Sequence, residues 1–200
     1  MEQTDVLIVG GSAAGLVAAQ VGRAHHPDKD FLVVRETASA VIPCAIPYIF
    51  GSLGSTEKDI LPDALATKGG ARMMIDRVEE IDRKSETCVT AGGTTIGYEK
   101  LILATGSTPK VPAWLTGADL PGVFTVPKDR DYLDEMLGSM KEDATVAVIG
   151  AGFIGVELAE QLRQLPMNVY LVEVLPHVLG MAFDAAIAEE AEKILIEKGV

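Results

Sequence analysis

The chain has 200 residues, enough for one large domain or two small ones, and 48% of them are hydrophobic, which is ample for a core. Its formal net charge of −12 argues against nucleic acid or an anionic membrane as a partner, because phosphates would be repelled; it does not exclude nucleotide binding through local backbone N–H groups. No apolar run approaches the roughly 18 residues of a membrane span, and MEQTD lacks the basic start of a signal peptide, so we expect a cytoplasmic protein.

The first predicted elements form a β-α-β unit. An apolar strand, Asp5–Val9, leads into the cluster Gly10-Gly11-Ser12-Ala13-Ala14-Gly15 and an alanine-rich helix that ends near Ala24. The next strand, Phe31–Val34, is also continuously apolar. Continuous rather than alternating apolar residues indicate a buried parallel strand pair.

The predicted secondary structure changes twice in the middle of the chain. Residues 39–54 predict a loop with a short helix beginning near Cys44. Between residues 70 and 100, the runs MMIDRV, TCVTA and TTIGY are separated by charged and Gly-Gly turns, which predicts an antiparallel meander. LILATG then predicts another buried strand, and a proline-rich crossover follows it.

A second β-α-β unit begins after a polar helix near residues 129–140. It consists of a strand (Thr145–Ile149), the turn Gly150-Ala151-Gly152-Phe153-Ile154-Gly155, a helix, and a strand (Asn168–Val172) that leads to Glu173. This repeats the first unit, with Gly150 standing 140 residues after Gly10. The sequence stops before the strand expected next, so we expect the second unit to be truncated.

The glycine spacing predicts dinucleotide binding. In GxGxxG the glycines allow a tight turn, close approach of the pyrophosphate and close helix–strand packing, while the helix N-terminus offers free N–H groups. Gly150, Gly152 and Gly155 meet this pattern, and Glu173 lies where a carboxylate binds the adenosine ribose hydroxyls. A 2′-phosphate would be repelled there, so NADH is favoured over NADPH. The alternative is a glycine turn in an α/β domain that binds no nucleotide.

The first glycine cluster departs from this pattern in two ways. Ser12 stands at the second glycine position, between Gly10 and Gly15. The strand end reads Val34-Arg35-Glu36, with Arg35 where an acidic residue is expected. Either Glu36 reaches the ribose or this contact is lost.

Together with LILATG and the single motif Cys-x-x-Pro-Tyr, these features resemble the pyridine nucleotide–disulfide oxidoreductases. The closest resemblance is to the single-cysteine branch, which includes CoA-disulfide reductases, NADH oxidases, NADH peroxidases and polysulfide or persulfide reductases. The resemblance implies two Rossmann-like units of α/β class: an FAD-binding domain at 1–112 with an inserted meander, and an NADH-binding domain at 113–200. It also implies a homodimer for the full-length protein.

The resemblance further implies roles for individual residues. Ser12 and Ala13 belong to the FAD loop, and Ile154 to the NADH loop. Val78 falls where backbone groups meet the adenine, and Phe153 and Glu157 fall at the nicotinamide pocket and the carboxamide. The segment at which the chain leaves the FAD domain contributes three further cofactor-binding residues, Ala104, Thr105 and Gly106.

Cys44 is the candidate redox thiol. The family's better-known members carry a second cysteine five residues later, where this chain has Ile49, so no local disulfide can form. A single thiol beside a flavin can alternate between thiolate and a mixed disulfide, persulfide or sulfenic acid. A helix N-terminus next to Cys44 would stabilise the thiolate. Cys88 lacks this context and is predicted to be structural.

These features predict an enzyme that passes electrons from NADH through FAD and Cys44 to a disulfide, polysulfide or persulfide, peroxide or oxygen. One alternative is a reductase of the rubredoxin- or ferredoxin-reductase kind in which Cys44 is incidental. Another is a nucleotide-binding redox sensor without turnover. The histidines lack metal-ligand spacing with Cys44, so no metal site is expected.

Overall fold

The computed structural model describes residues 1–200, which form two compact units. The first comprises Met1–Pro43 and Ile60–Lys110, and the second comprises Cys44–Asp59 and Val111–Val200. The chain passes from the first unit into the second after Lys110, close to the domain boundary expected after residue 112. The sequence had not indicated that Cys44–Asp59 would belong to the second unit. No helix combines the length and apolar character that crossing a bilayer requires.

The first unit is built on a six-stranded sheet, with two helices and a small two-stranded ladder. The sheet strands are β1 (Glu2–Val9), β2 (Phe31–Arg35), β5 (Arg72–Ile75), β6 (Val78–Asp82), β7 (Thr87–Thr90) and β8 (Thr95–Leu103). The ladder is β3 (Ala40–Val41) with β4 (Ile60–Leu61), and the helices are α1 (Ala13–His25) and α2 (Ala64–Thr67).

The strand order is β5-β2-β1-β8-β7-β6. The first four strands run parallel to one another, whereas β7 and β6 are antiparallel additions. Side chains of β1 and β2 are buried on both faces of the sheet, as their continuous apolar sequences predicted. The carboxyl ends of the four parallel strands therefore meet at one edge, where α/β sheets bind ligands.

Two predictions for residues 70–103 were wrong in detail. Most of TTIGY and the first half of LILATG form one strand, β8 (Thr95–Leu103), which pairs with β1 along its length and with β7 near its start. The exposed pair Glu99-Lys100 in its middle resembled a break in the sequence. The run MMID is not part of the meander, because β5 pairs in parallel with β2.

The second unit contains a two-stranded parallel sheet, β9 (Thr145–Ile149) and β10 (Asn168–Val172). Its helices are α3 (Arg130–Ser139), α4 (Phe153–Leu162) and α5 (Ala185–Glu197), and two 3₁₀ helices span Ile46–Phe50 and Thr56–Asp59. The Asp129 and Asp184 side chains cap α3 and α5 by accepting backbone N–H bonds. The strands and the glycine turn lie where the sequence predicted them.

Candidate dinucleotide-binding sites

The first glycine loop, residues 10–15, connects β1 to α1. Gly10 has φ of +108°, and a Cβ there would lie 2.1 Å from the Ala104 carbonyl oxygen. A Cβ on Gly15 would lie 1.8 Å from the Gly10 oxygen. Neither position can therefore carry a side chain without backbone movement, and the loop packs directly against the end of β8.

The residues predicted for the first site gather at the carboxyl edge of the sheet. The Ala104 N–H donates to the Val9 carbonyl at 2.8 Å, which places Ala104, Thr105 and Gly106 beside the first glycine loop. Glu36 follows β2 and is exposed, with its carboxylate 3.9 Å from the Arg77 guanidinium. Val78 begins β6 and is half-buried. These placements suit the predicted roles, which stay predictions.

The second glycine loop, residues 150–155, repeats this geometry between β9 and α4. A Cβ on Gly155 would lie 1.9 Å from the Gly150 oxygen, almost the same distance as in the first loop. Gly150 has φ of +99°. Gly152 has no heavy atom within 4 Å of an added Cβ, so it keeps open the space in front of the helix.

Glu173 follows β10 and holds the second loop. Its carboxylate accepts the Ala151 N–H at 2.7 Å and also the N–H groups of Val174 and Leu175. The N–H groups of Leu175 and Ala151 hold the pKa of Glu173 below its ordinary value, so the group is anionic at neutral pH. It thus lies at the second loop, as predicted; contact with a ribose stays a prediction.

The remaining predicted residues of the second site lie on α4. Phe153 and Ile154 begin the helix and are exposed, and Glu157 is half-buried one turn later. The Phe153 ring packs edge-to-face against Phe183, with centroids 5.9 Å apart. Phe183 was not predictable from the sequence, because an aromatic residue in a loop 30 residues away carries no local signal.

Both loops fit the phosphates of a dinucleotide. Neither α1 nor α4 has a capping side chain or an acidic residue in its first turn, so their leading N–H groups are available to an anion. The Ser12 hydroxyl oxygen at the start of α1 is buried and has no hydrogen-bond partner within the protein. A ligand oxygen at this loop would supply that partner.

Cys44 is exposed and begins the segment of the second unit that carries the 3₁₀ helix Ile46–Phe50. The short helix predicted near Cys44 is present, but it is a five-residue 3₁₀ helix that starts two residues after the thiol. Such a turn sums few peptide dipoles. Cys88 is buried in the first unit's core, and burial raises the pKa of its thiol, as suits a structural cysteine.

The cysteine segment, Cys44–Asp59, is attached to α4 by a buried side chain, Gln161, that no sequence motif indicated. The Gln161 Oε1 accepts the backbone N–H of Ser52 at 2.9 Å and its hydroxyl at 2.8 Å. A Cβ on Gly51 would lie 2.6 Å from the Gln161 carbonyl oxygen, so the backbones approach closely. Ile49 and Phe50 are fully buried.

A parallel α/β sheet and two matching glycine loops define a protein of the duplicated, Rossmann-like dinucleotide-binding class. The chain belongs to the pyridine nucleotide-disulphide oxidoreductase family, whose model matches residues 4–200. This confirms the family that the motifs indicated.

Individual relatives agree with this membership. The chain is 34% identical to an NADH oxidase of Methanocaldococcus jannaschii, over 97% of this chain and 45% of the relative. It is 32% identical to an NAD(P)H coenzyme A polysulfide/persulfide reductase of Pyrococcus horikoshii, over 95% of this chain and 44% of the relative. The water-forming NADH oxidase of Lactobacillus brevis, solved with NADH, matches with a TM-score of 0.82 and 27% identity, over 98% of this chain and 45% of that one. The chain thus spans about half the length of the curated relatives it matches.

Proposed function

We propose that the protein is an FAD- and NADH-dependent oxidoreductase, with FAD at the first glycine loop and NADH at the second. The observation that carries the proposal is the duplicated loop geometry, with an exposed cysteine in the family's motif position. When bound, FAD supplies the exchange of a hydride with nicotinamide and of electrons with sulfur. The loops supply orientation and N–H groups for the two pyrophosphates.

The proposed route passes through Cys44 to a sulfur or oxygen acceptor. For a disulfide acceptor, the Cys44 thiolate attacks one sulfur, forms a mixed disulfide and releases the other half as a thiol after protonation. Two electrons that originate in NADH then cleave the mixed disulfide, which frees the second thiol and restores the thiolate. The sum consumes one NADH, one solvent proton and one disulfide, and yields NAD⁺ and two thiols.

The nature of residue 49 supports an external acceptor. Ile49 is fully buried and stands where two-cysteine relatives carry their second thiol. Cys44 therefore has no local disulfide partner, while its exposure leaves it open to a disulfide, polysulfide or persulfide. Peroxide and oxygen are the other acceptors that this site would serve, the first through a sulfenic acid at Cys44.

The test compares two cysteine variants of the complete protein. Cys44→Ser is expected to keep the flavin, since the change is nearly isosteric, and to abolish NADH-dependent reduction of CoA disulfide and of polysulfide. Cys88→Ser is the control and is expected to leave turnover almost unchanged. Retention of most activity by Cys44→Ser with both acceptors would favour a rubredoxin- or ferredoxin-reductase-like enzyme. Tight NADH binding by the wild type, with no acceptor reduced, would favour a redox sensor.

We propose a cytoplasmic homodimer whose only partners in the reaction are small molecules. Neither a nucleic acid nor a membrane takes part, in keeping with the net charge of −12.

A further inference from the structure

Arg35 and Glu173 occupy equivalent positions in the two β-α-β units. The Gly10 N–H donates to the Val34 carbonyl at 2.8 Å, and the Gly150 N–H donates to the Val172 carbonyl at 2.8 Å. Each glycine loop is thus hydrogen-bonded to a valine at the carboxyl end of the second strand of its unit, β2 or β10. The residue that follows is Arg35 in the first unit and Glu173 in the second.

These two residues bind the same point of their loops through opposite groups. Glu173 accepts the N–H of Ala151, the second residue of its loop, at 2.7 Å. Arg35 Nη1 instead donates to the carbonyl oxygen of Gly11, the second residue of the first loop, at 3.1 Å. A Cβ on Gly11 would lie 2.9 Å from the Arg35 Cβ, so the arginine also requires a glycine there.

The Arg35 guanidinium has no donor left for a ligand. Nε donates to the Thr37 carbonyl, Nη1 to Gly11 and Asp63, and Nη2 to the Ala38 carbonyl and Asp63. These contacts use all five N–H groups that an arginine carries. The Arg35 side chain is only 5% exposed, and Asp63 neutralises it by a bidentate pair at 2.6 and 3.0 Å.

We propose that Arg35 and Asp63 form a clamp that positions the first glycine loop for its dinucleotide, and that Arg35 does not touch the adenosine ribose. Residue 35 therefore does in the first unit what Glu173 does for the loop backbone in the second, without offering a ribose acceptor. The inference rests on the proposed function, which places FAD at the first loop. Arg35 and Asp63 are positioning residues, since they act through the Gly11 backbone.

The test measures FAD and NADH affinity of the complete protein for Arg35→Lys and Asp63→Asn. A lysine cannot span Gly11, Ala38 and Asp63 at once, so FAD affinity is expected to fall about tenfold or more. NADH affinity, measured on the apoprotein, is expected to stay within about twofold, because its loop has its own clamp. Asp63→Asn keeps the shape but leaves only one acceptor oxygen for the two guanidinium donors, so it is also expected to lower FAD affinity, and it provides a second variant should Arg35→Lys fold poorly.

Matched controls come from the pair Arg72–Asp30. Arg72 also makes a bidentate contact with an aspartate, but at the start of β5, at the end of the sheet opposite the first glycine loop. Arg72→Lys and Asp30→Asn are expected to leave FAD affinity within about twofold. An equal loss of FAD affinity in the control variants would overturn the clamp, since the effect would then be general destabilisation.

A ligand comparison separates positioning from ribose contact. FAD and its 2′-deoxyadenosine analogue are titrated into the wild type and Arg35→Lys. The ratio of the two dissociation constants is expected to be the same in both proteins. A ratio of dissociation constants that falls toward one only in Arg35→Lys would show that Arg35 contacts the ribose, and it would overturn the inference. Wild-type FAD affinity in both Arg35→Lys and Asp63→Asn would also overturn it. Failure of the wild type to bind FAD at all would instead refute the proposed function.

Discussion

Glu173 is the residue that we expect to decide coenzyme choice in the proposed second site. Its carboxylate is ionised at neutral pH and fixed by three backbone N–H groups. A 2′-phosphate on the adenosine ribose would approach this fixed negative charge, whereas ribose hydroxyls can donate to the remaining lone pairs. We therefore expect the complete protein to favour NADH over NADPH by at least about tenfold, or about 1.4 kcal/mol.

Val174→Arg is expected to reduce or reverse this preference. The Val174 side chain is 96% exposed directly after Glu173, so an arginine there fits without repacking and can pair with a 2′-phosphate. The measurement is kcat/KM for both coenzymes. Met181→Arg adds the same charge to the same loop as a control and is expected to leave the ratio nearly unchanged. An equal shift in both variants would show that the net charge of the loop, rather than the neighbourhood of Glu173, sets the preference.

For single residues, a role could be predicted where it depends on spacing along the chain. It could not be predicted where it depends on contacts that only the fold creates. Gly150, Gly152, Gly155 and Glu173 were recognisable because their roles depend on distances along a local β-α-β unit. Arg35 was noticed only as a departure from the pattern. Its function depends on Asp63, which lies 28 residues away and comes into contact only through the fold.

At the scale of elements, the cysteine segment is fixed to the helix of the second glycine loop. The 3₁₀ helix Ile46–Phe50 buries Ile46, Pro47, Ile49 and Phe50, and the Gln161 side chain holds Ser52 by two hydrogen bonds. Gln161 is itself buried on α4. The segment is therefore held by these buried side chains together with one buried amide, whose oxygen is the acceptor for Ser52.

Gln161→Met is expected to lower the free energy of unfolding by about 1–3 kcal/mol, because it leaves the Ser52 N–H without its acceptor. Methionine has a similar length and removes only the amide. Gln164→Met, on the exposed side of the same region, is the control and is expected to change stability by less than about 0.5 kcal/mol. Denaturant titration followed by circular dichroism measures both. Equal stability of the two variants would show that the buried amide does not anchor the segment.

Strands with one continuous apolar pattern could be predicted from the sequence. Elements whose position depends on two different sets of neighbours could not. The strands β1, β2, β9 and β10 lie where apolar runs predicted them, because apolar patterning is a local property. The strand β8 pairs with β1 and also with β7 near its start, and its exposed Glu99-Lys100 pair concealed its continuity. The membership of residues 44–59 in the second unit depends on contacts with α4, more than a hundred residues away.

At the scale of the whole molecule, the duplication predicts two separable binding sites. Each glycine loop lies within its own compact unit, and in both the bare glycine lies in close contact with the backbone of the first glycine: an added Cβ would lie 1.8 Å from the Gly10 oxygen at Gly15 and 1.9 Å from the Gly150 oxygen at Gly155. Each contact fixes the approach of a helix to its strand. A larger residue at either glycine should therefore disable one site and spare the other.

The corresponding variants are Gly15→Val and Gly155→Val. Gly15→Val is expected to lose FAD but to keep NADH affinity within about threefold, and Gly155→Val is expected to keep FAD while NADH affinity falls at least about tenfold. Flavin content is read from the visible spectrum of the purified complete protein. NADH binding is measured by fluorescence titration, and thermal unfolding checks that each variant is folded. Loss of flavin in Gly155→Val with retention in Gly15→Val would reverse the assignment of the two cofactors, because each loop would then serve the other dinucleotide.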